Sequence, residues 1–146
     1  MAIHPRKTIR EKVVSILSSG VSSASGRVYD SRTQAVQTAP FVIVNSVSDE
    51  PEEPFIGLSH PTYNRVITFE IQCVDTERPS SGTLAGNADD LSREVELALQ
   101  ANLTLDNLAL SCLLGGAIVN ASEEIDPPAY QVTLTYFVRY EDTVGL

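Results

Sequence analysis

The segment Tyr130-Gln-Val-Thr-Leu-Thr-Tyr-Phe-Val-Arg-Tyr140 alternates with a period of two: Tyr130, Val132, Leu134, Tyr136, Val138 and Tyr140 point one way. Tyr63-Asn-Arg-Val-Ile-Thr-Phe-Glu-Ile-Gln-Cys73 does the same through Ile67, Phe69, Ile71 and Cys73. This period predicts two strands of an antiparallel sheet with one apolar and one mainly polar face. Both runs exceed the usual five or six residues of a strand. Thr, Gln and Asn fill much of the second face, so the sheet organises whatever else the chain does.

The remaining residues can supply a core for that sheet. The chain has 146 residues, 42% of them hydrophobic and 20% charged, which suits one domain over residues 1–146 without disulfide or metal staples. Cys73 and Cys112 each lie in apolar runs and read as small buried hydrophobes. The start of the chain, Met-Ala-Ile-His-Pro-Arg-Lys, has no apolar signal-type region. The apolar run 108–119 is interrupted by Gly115-Gly116 and is too short for a bilayer, so no membrane partner is expected.

Around the two strands, the pattern predicts a helix from about Pro5 to Ser18, with Ile9, Val13, Ile16 and Leu17 as its apolar stripe. Arg27–Asp30 reads as a short strand and Phe41–Val47 as a central one opened by Pro40. Residues 48–62, with three prolines and four acids, read as a long loop carrying Phe55, Ile56 and Leu58. A second helix is expected from Asn87 as N-cap, with Ala88, Leu91, Val95, Ala98 and Leu99 inward. Residues 103–114 fit either a helix or a strand, and residues 117–125 fit a strand. The fold class is therefore α+β: a mixed, mostly antiparallel sheet with two main helices packed on one face.

The charges exclude more than they specify. Nineteen acids against ten bases give a net charge of -9, and Lys7 and Lys12 are the only lysines. DNA and anionic membranes need clustered bases, so neither is an electrostatic partner. His4 and His60 are the only histidines, and Ser59 beside His60 is adjacency rather than triad geometry. No Cys-x-x-Cys, His-x-x-x-His or calcium-loop spacing is present, and Gly115-Gly116 and the Gly82/Gly86 spacing lack a phosphate-binding lysine. No cofactor is expected. The acid clusters at Glu50/Glu52/Glu53, Asp89/Asp90 and Glu123/Glu124/Asp126 are solvated faces or docking charge more readily than a glycosidase pair, since the chain has no Trp to line a sugar cleft.

A family resemblance rests on the order of these elements. An amphipathic helix precedes Gly26-Arg-Val-Tyr-Asp30, then Pro40-Phe-Val-Ile-Val44 and Val66-Ile-Thr-Phe-Glu-Ile-Gln72. The helix Ala88-Asp-Asp-Leu-Ser-Arg-Glu-Val95 follows, and Tyr130 to Glu141 closes the set. Length, acidity and this order resemble the tail terminator proteins of long-tailed bacteriophages. The resemblance implies a non-enzymatic virion protein, assembled in the host cytoplasm and placed at the tail or neck. Six copies would close a homohexameric ring around the tail axis, cap the tail tube protein, end its polymerisation and meet the head-tail connector proteins. DNA would pass through an acidic lumen without specific binding.

The family supplies no catalytic residue and no motif that transfers an interface position. The candidates come from residue chemistry instead: Asp49, Glu50, Glu52, Glu53, Phe55, Ile56 and Leu58 for docking, as apolar anchors within an acidic rim. Arg65, Glu70 and Arg139 are candidates for intersubunit ion pairs, with cross-strand pairing inside one subunit as the alternative. Three other readings stand beside the terminator: another neck component for tail or head completion, a small acid-pair enzyme, and a monomeric ligand-binding domain.

Overall fold

A computed structural model describes residues 3–31, 40–52, 62–76, 84–122 and 129–143. Helix α1 (Pro5–Gly20) comes first, followed by a 3-10 turn (Ser22–Ala24) and strands β1 (Val28–Asp30), β2 (Phe41–Pro51) and β3 (Thr62–Thr76). Helix α2 (Leu84–Gln100) and strands β4 (Ser111–Ser122) and β5 (Ala129–Thr143) complete the chain. The five strands form one sheet in the order β1-β2-β3-β5-β4. Only β1 and β2 pair in parallel; the other three ladders are antiparallel. The expected fold class is the observed one.

The period-two runs become the two longest strands and the centre of the sheet. β3 and β5 pair along their whole length, from Thr62 opposite Thr143 to Thr76 opposite Ala129. Ile67, Phe69, Ile71 and Cys73 on β3, and Val132, Leu134, Tyr136, Val138 and Tyr140 on β5, are all buried against the helices. Ile9, Val13 and Leu17 of α1 and Ala88, Leu91, Val95 and Leu99 of α2 form the other wall of this core. Pro5 sits in the first turn of α1, where a missing N–H costs nothing, and His4 Nδ1 accepts from the Arg6 N–H as a cap. The helices approach closely where Gly20 meets Ala98; a Cβ at Gly20 would stand 2.9 Å from the Ala98 Cβ.

Three boundaries depart from the sequence reading. β2 runs through Pro51, so the first part of the expected 48–62 loop is strand: Ser48, Asp49, Glu50 and Pro51 pair with Thr68, Ile67, Val66 and Arg65. The length of β3 supplies ladder partners that a polar, proline-rich stretch does not advertise. α2 begins at Leu84, one turn before Asn87, which lies inside the helix rather than at its cap. Most of 103–110 is neither helix nor strand: Leu105, Asp106 and Asn107 have positive φ of 49°, 59° and 65°, and β4 starts at Ser111. Leu105 is fully buried, which offsets the cost of its left-handed backbone.

Candidate interaction surface

The two faces of the sheet differ. Helices cover the face that carries the core, and no described element covers the other. On that open face, Thr68, Glu70 and Gln72 of β3 and Gln131, Thr133 and Thr135 of β5 are half-buried by their neighbours alone. Ile43 of β2 is buried there as well, and Phe41 stacks at a tilt on Tyr29 of β1 with ring centroids 6.3 Å apart.

Among the described residues β4 ends the sheet, and only β5 pairs with it. Its sequence, Ser-Cys-Leu-Leu-Gly-Gly-Ala-Ile-Val-Asn-Ala-Ser, contains no charged residue. Cys112 is buried, but Leu113, Leu114, Ile118 and Val119 are 57%, 45%, 61% and 49% exposed. The register explains why. Leu113 and Ile118 stand opposite Phe137 and Thr133 on the open face. Leu114 and Val119 stand opposite Tyr136 and Val132 on the helix side, where they stay about half exposed. Adjacent apolar residues (Leu113/Leu114 and Ile118/Val119) emerge on opposite faces, and a bulge between Leu114 and Gly116 shifts the register between the two pairs. The ring of Phe137, itself exposed, lies over Gly115, where a side chain would collide with it.

The sequence reading missed this strand as a surface. Its signal was visible as twelve uncharged, non-alternating residues, but a short apolar run is equally compatible with a buried strand.

Asp49, Glu52, Arg65 and Arg139, at one end of strands β2, β3 and β5, are engaged within the chain. Asp49 faces the helix layer with its side chain 3% exposed, not a loop rim. It accepts from Arg6 Nη1 at 2.8 Å, Arg65 Nε at 3.1 Å and the Tyr140 hydroxyl at 2.8 Å. Arg65 reaches onward to Asp142 at 3.3 Å and lies 6.0 Å from the Tyr140 ring centre. Burial disfavours the Arg65 charge, yet the hydrogen bond it donates to Asp49 and the surrounding charges outweigh it and raise its pKa. Burial, reinforced by the bond to Asp49, pushes the Tyr140 phenol up as well. Asp49 and Arg65 therefore join α1, β2, β3 and β5 within the chain.

Arg139, on the open face, donates to Glu52 at 2.6 Å across β3. Glu50 is exposed at the same end and Glu70 is half-buried in the middle of the open face. Glu53, Phe55, Ile56 and Leu58 lie outside the described residues, as do His60 and the 123–126 acids.

Nothing in the described part assembles a reaction site. Among the described residues, no three His, Cys, Asp or Glu side chains converge to hold a metal ion. Burial pushes the Cys73 thiol up to about 12, helped by the Glu96 charge, and the Cys112 thiol up to about 11; neither is poised as a nucleophile. Glu94 accepts from the Ser22 hydroxyl and the Ser23 N–H, a capping role for the 3-10 turn. Burial opposes its charge, but the bonds from Ser23 and Ser22 prevail and lower its pKa. A groove beside α1 and the C-terminal end of α2 is bordered by Lys12, Ser15, Ile16, Ser19, Ala98 and Asn102. No helix among the described residues is long and apolar enough to cross a membrane.

No family model matches the chain, and no curated protein matches it. Among solved structures, one chain of "Virion of native gene transfer agent (GTA) particle" is similar over 91% of this chain and 94% of its own, at 12% identity and a TM-score of 0.46. Likeness of that degree carries no argument about this protein.

Proposed function

We propose that the chain is a structural virion subunit, a tail terminator whose copies close a ring on the end of a phage tail tube. The ring ends tube polymerisation and offers the surface that joins the head. The observation that carries this reading is the pairing of an unguarded, uncharged apolar edge strand with a wide, uncovered sheet face. A subunit built to assemble needs surfaces of this kind, and apolar patches with polar surroundings are where proteins meet. The order of elements, from α1 through β5, supports the family named by its resemblance. The acidic balance is compatible with a ring through which DNA passes, since it repels rather than holds the polyanion.

The direct test is electron microscopy of tail tubes grown with and without the purified chain, together with its mass by light scattering. Rings of six on one end of tubes of defined length are the expected result. Tubes that lengthen freely and carry no added density at either end would sink the terminator assignment.

A further inference from the structure

We propose that the outer edge of β4 is the docking site for a second copy of this chain, whose backbone extends the sheet. The inference rests on reading the chain as an assembling subunit, and it names the contact that subunit uses.

Three observations converge on the same strand. First, the edge is long: twelve residues, or about 40 Å of backbone at the usual rise, whose outward N–H and C=O groups meet no other strand among the described residues. Proteins that stay monomeric blunt such edges with charges, proline or a cover, and among the described residues the Gly115 bulge is the one such device on β4.

Second, apolar side chains flank the edge above and below. Leu113, Ile118 and Phe137 line the open face, and Leu114 and Val119 the helix side, each about half exposed. A strand laid along β4 would cover both rows, on the scale of the roughly 800 Å² per partner that stable interfaces bury.

Third, charge selects the occupant. With a net charge of -9, two copies repel over most approaches, and β4 is a neutral stretch on which they can meet without burying like charges. A nucleic acid or an anionic lipid surface finds no cation on this strand to hold it. A charged peptide would leave a charge buried and unpaired.

The test uses the full chain, a Leu113→Lys/Ile118→Lys double variant, and Val47→Lys as a control. Val47 is 54% exposed at the bulge in β2, toward the opposite edge of the sheet. Sedimentation across concentration should show self-association whose dissociation constant rises about a hundredfold or more in the double variant, because each lysine would be buried unpaired. The control should associate like the original. Circular dichroism checks that both variants fold. Hydrogen exchange on the unaltered chain gives a second measurement, independent of any substitution: β4 amides should slow at high concentration.

Association that ignores the two lysines, β4 amides whose exchange is the same at low and high concentration, or a monomer at every concentration would overturn the proposal. Each of those results leaves the terminator reading to the tube experiment. Conversely, a β4-dependent assembly that stops at two copies upholds this inference and removes the ring, because a self-complementary contact closes on itself.

Discussion

At one end of the sheet, β1 contributes three residues, and α1 is pinned beside it: Arg10 holds Asp30 at 2.6 Å and Ser46 at 3.2 Å, and Arg6 holds Asp49. At the other end, β4 runs twelve residues with no charge, and the helix layer stops short of its outer half. The first edge is finished inside the chain. Along the second, no described element lies over the exposed apolar side chains. Polar groups at the β1–β2 end make contacts that fold the subunit, whereas the apolar groups along β4 do little for the isolated chain. If β4 is the docking edge proposed above, stability and assembly lie on opposite edges, and substitutions should separate them.

The largest effect should come from the finished edge. Asp49→Ala leaves Arg65 and Arg6 without their shared carboxylate and removes the acceptor of the Tyr140 hydroxyl. A loss of about 2–3 kcal/mol is expected in urea unfolding. A change below about 0.5 kcal/mol would mean that α1 is held by its apolar stripe alone.

A smaller loss, about 1–2 kcal/mol, is expected for Gly115→Val, where the new side chain runs into the Phe137 ring. Because that ring is partly exposed, it can swing aside at moderate cost. An unchanged midpoint would show that the ring does not rest on Gly115 in solution.

The core shared by both edges predicts an alkaline limit. Cys73 and Cys112 titrate at about 12 and about 11 in the fold, against an ordinary value of 9.0. An acid with a raised folded pKa keeps its proton longer when folded, so the unfolded chain gains once pH passes the ordinary value. The contribution of the two thiols should therefore be level below about pH 9 and fall from there toward pH 12. Both thiols should resist alkylation until the chain unfolds. Rapid labelling of either cysteine in the native protein would contradict the burial that causes the shift.

The smallest effects should lie on the surface. Arg139→Ala removes a pair whose side chains are 51% and 36% exposed, and should change stability by no more than about 0.5 kcal/mol, less in high salt. Ile118→Lys should leave the unfolding midpoint within a similar margin because Ile118 is 61% exposed in the single subunit. If Ile118→Lys unfolds the chain as badly as Asp49→Ala, the contrast between the edges is wrong.

Much of this architecture was legible in the residue pattern. The alternation in 63–73 and 130–140 placed every inward side chain correctly from Ile67 to Cys73 and from Val132 to Tyr140, because a buried face leaves no freedom of register. The α1 stripe was equally plain. Asp49 was not: a polar residue two positions before a proline reads as loop, and its burial depends on two arginines 43 and 16 residues away in the chain. Nor was β4. Its apolar residues resemble a core segment, and only its place at the end of the strand order leaves them uncovered.

From its sequence alone, then, the chain determined that it would form long half-buried strands with helices on one side, because period and hydrophobicity are local and act through backbone geometry. Which strand became an edge, and which acid became a buried hub, depended on the order β1-β2-β3-β5-β4. That order is set by long-range pairing, and it determines which groups meet a partner inside the chain and which are left facing water.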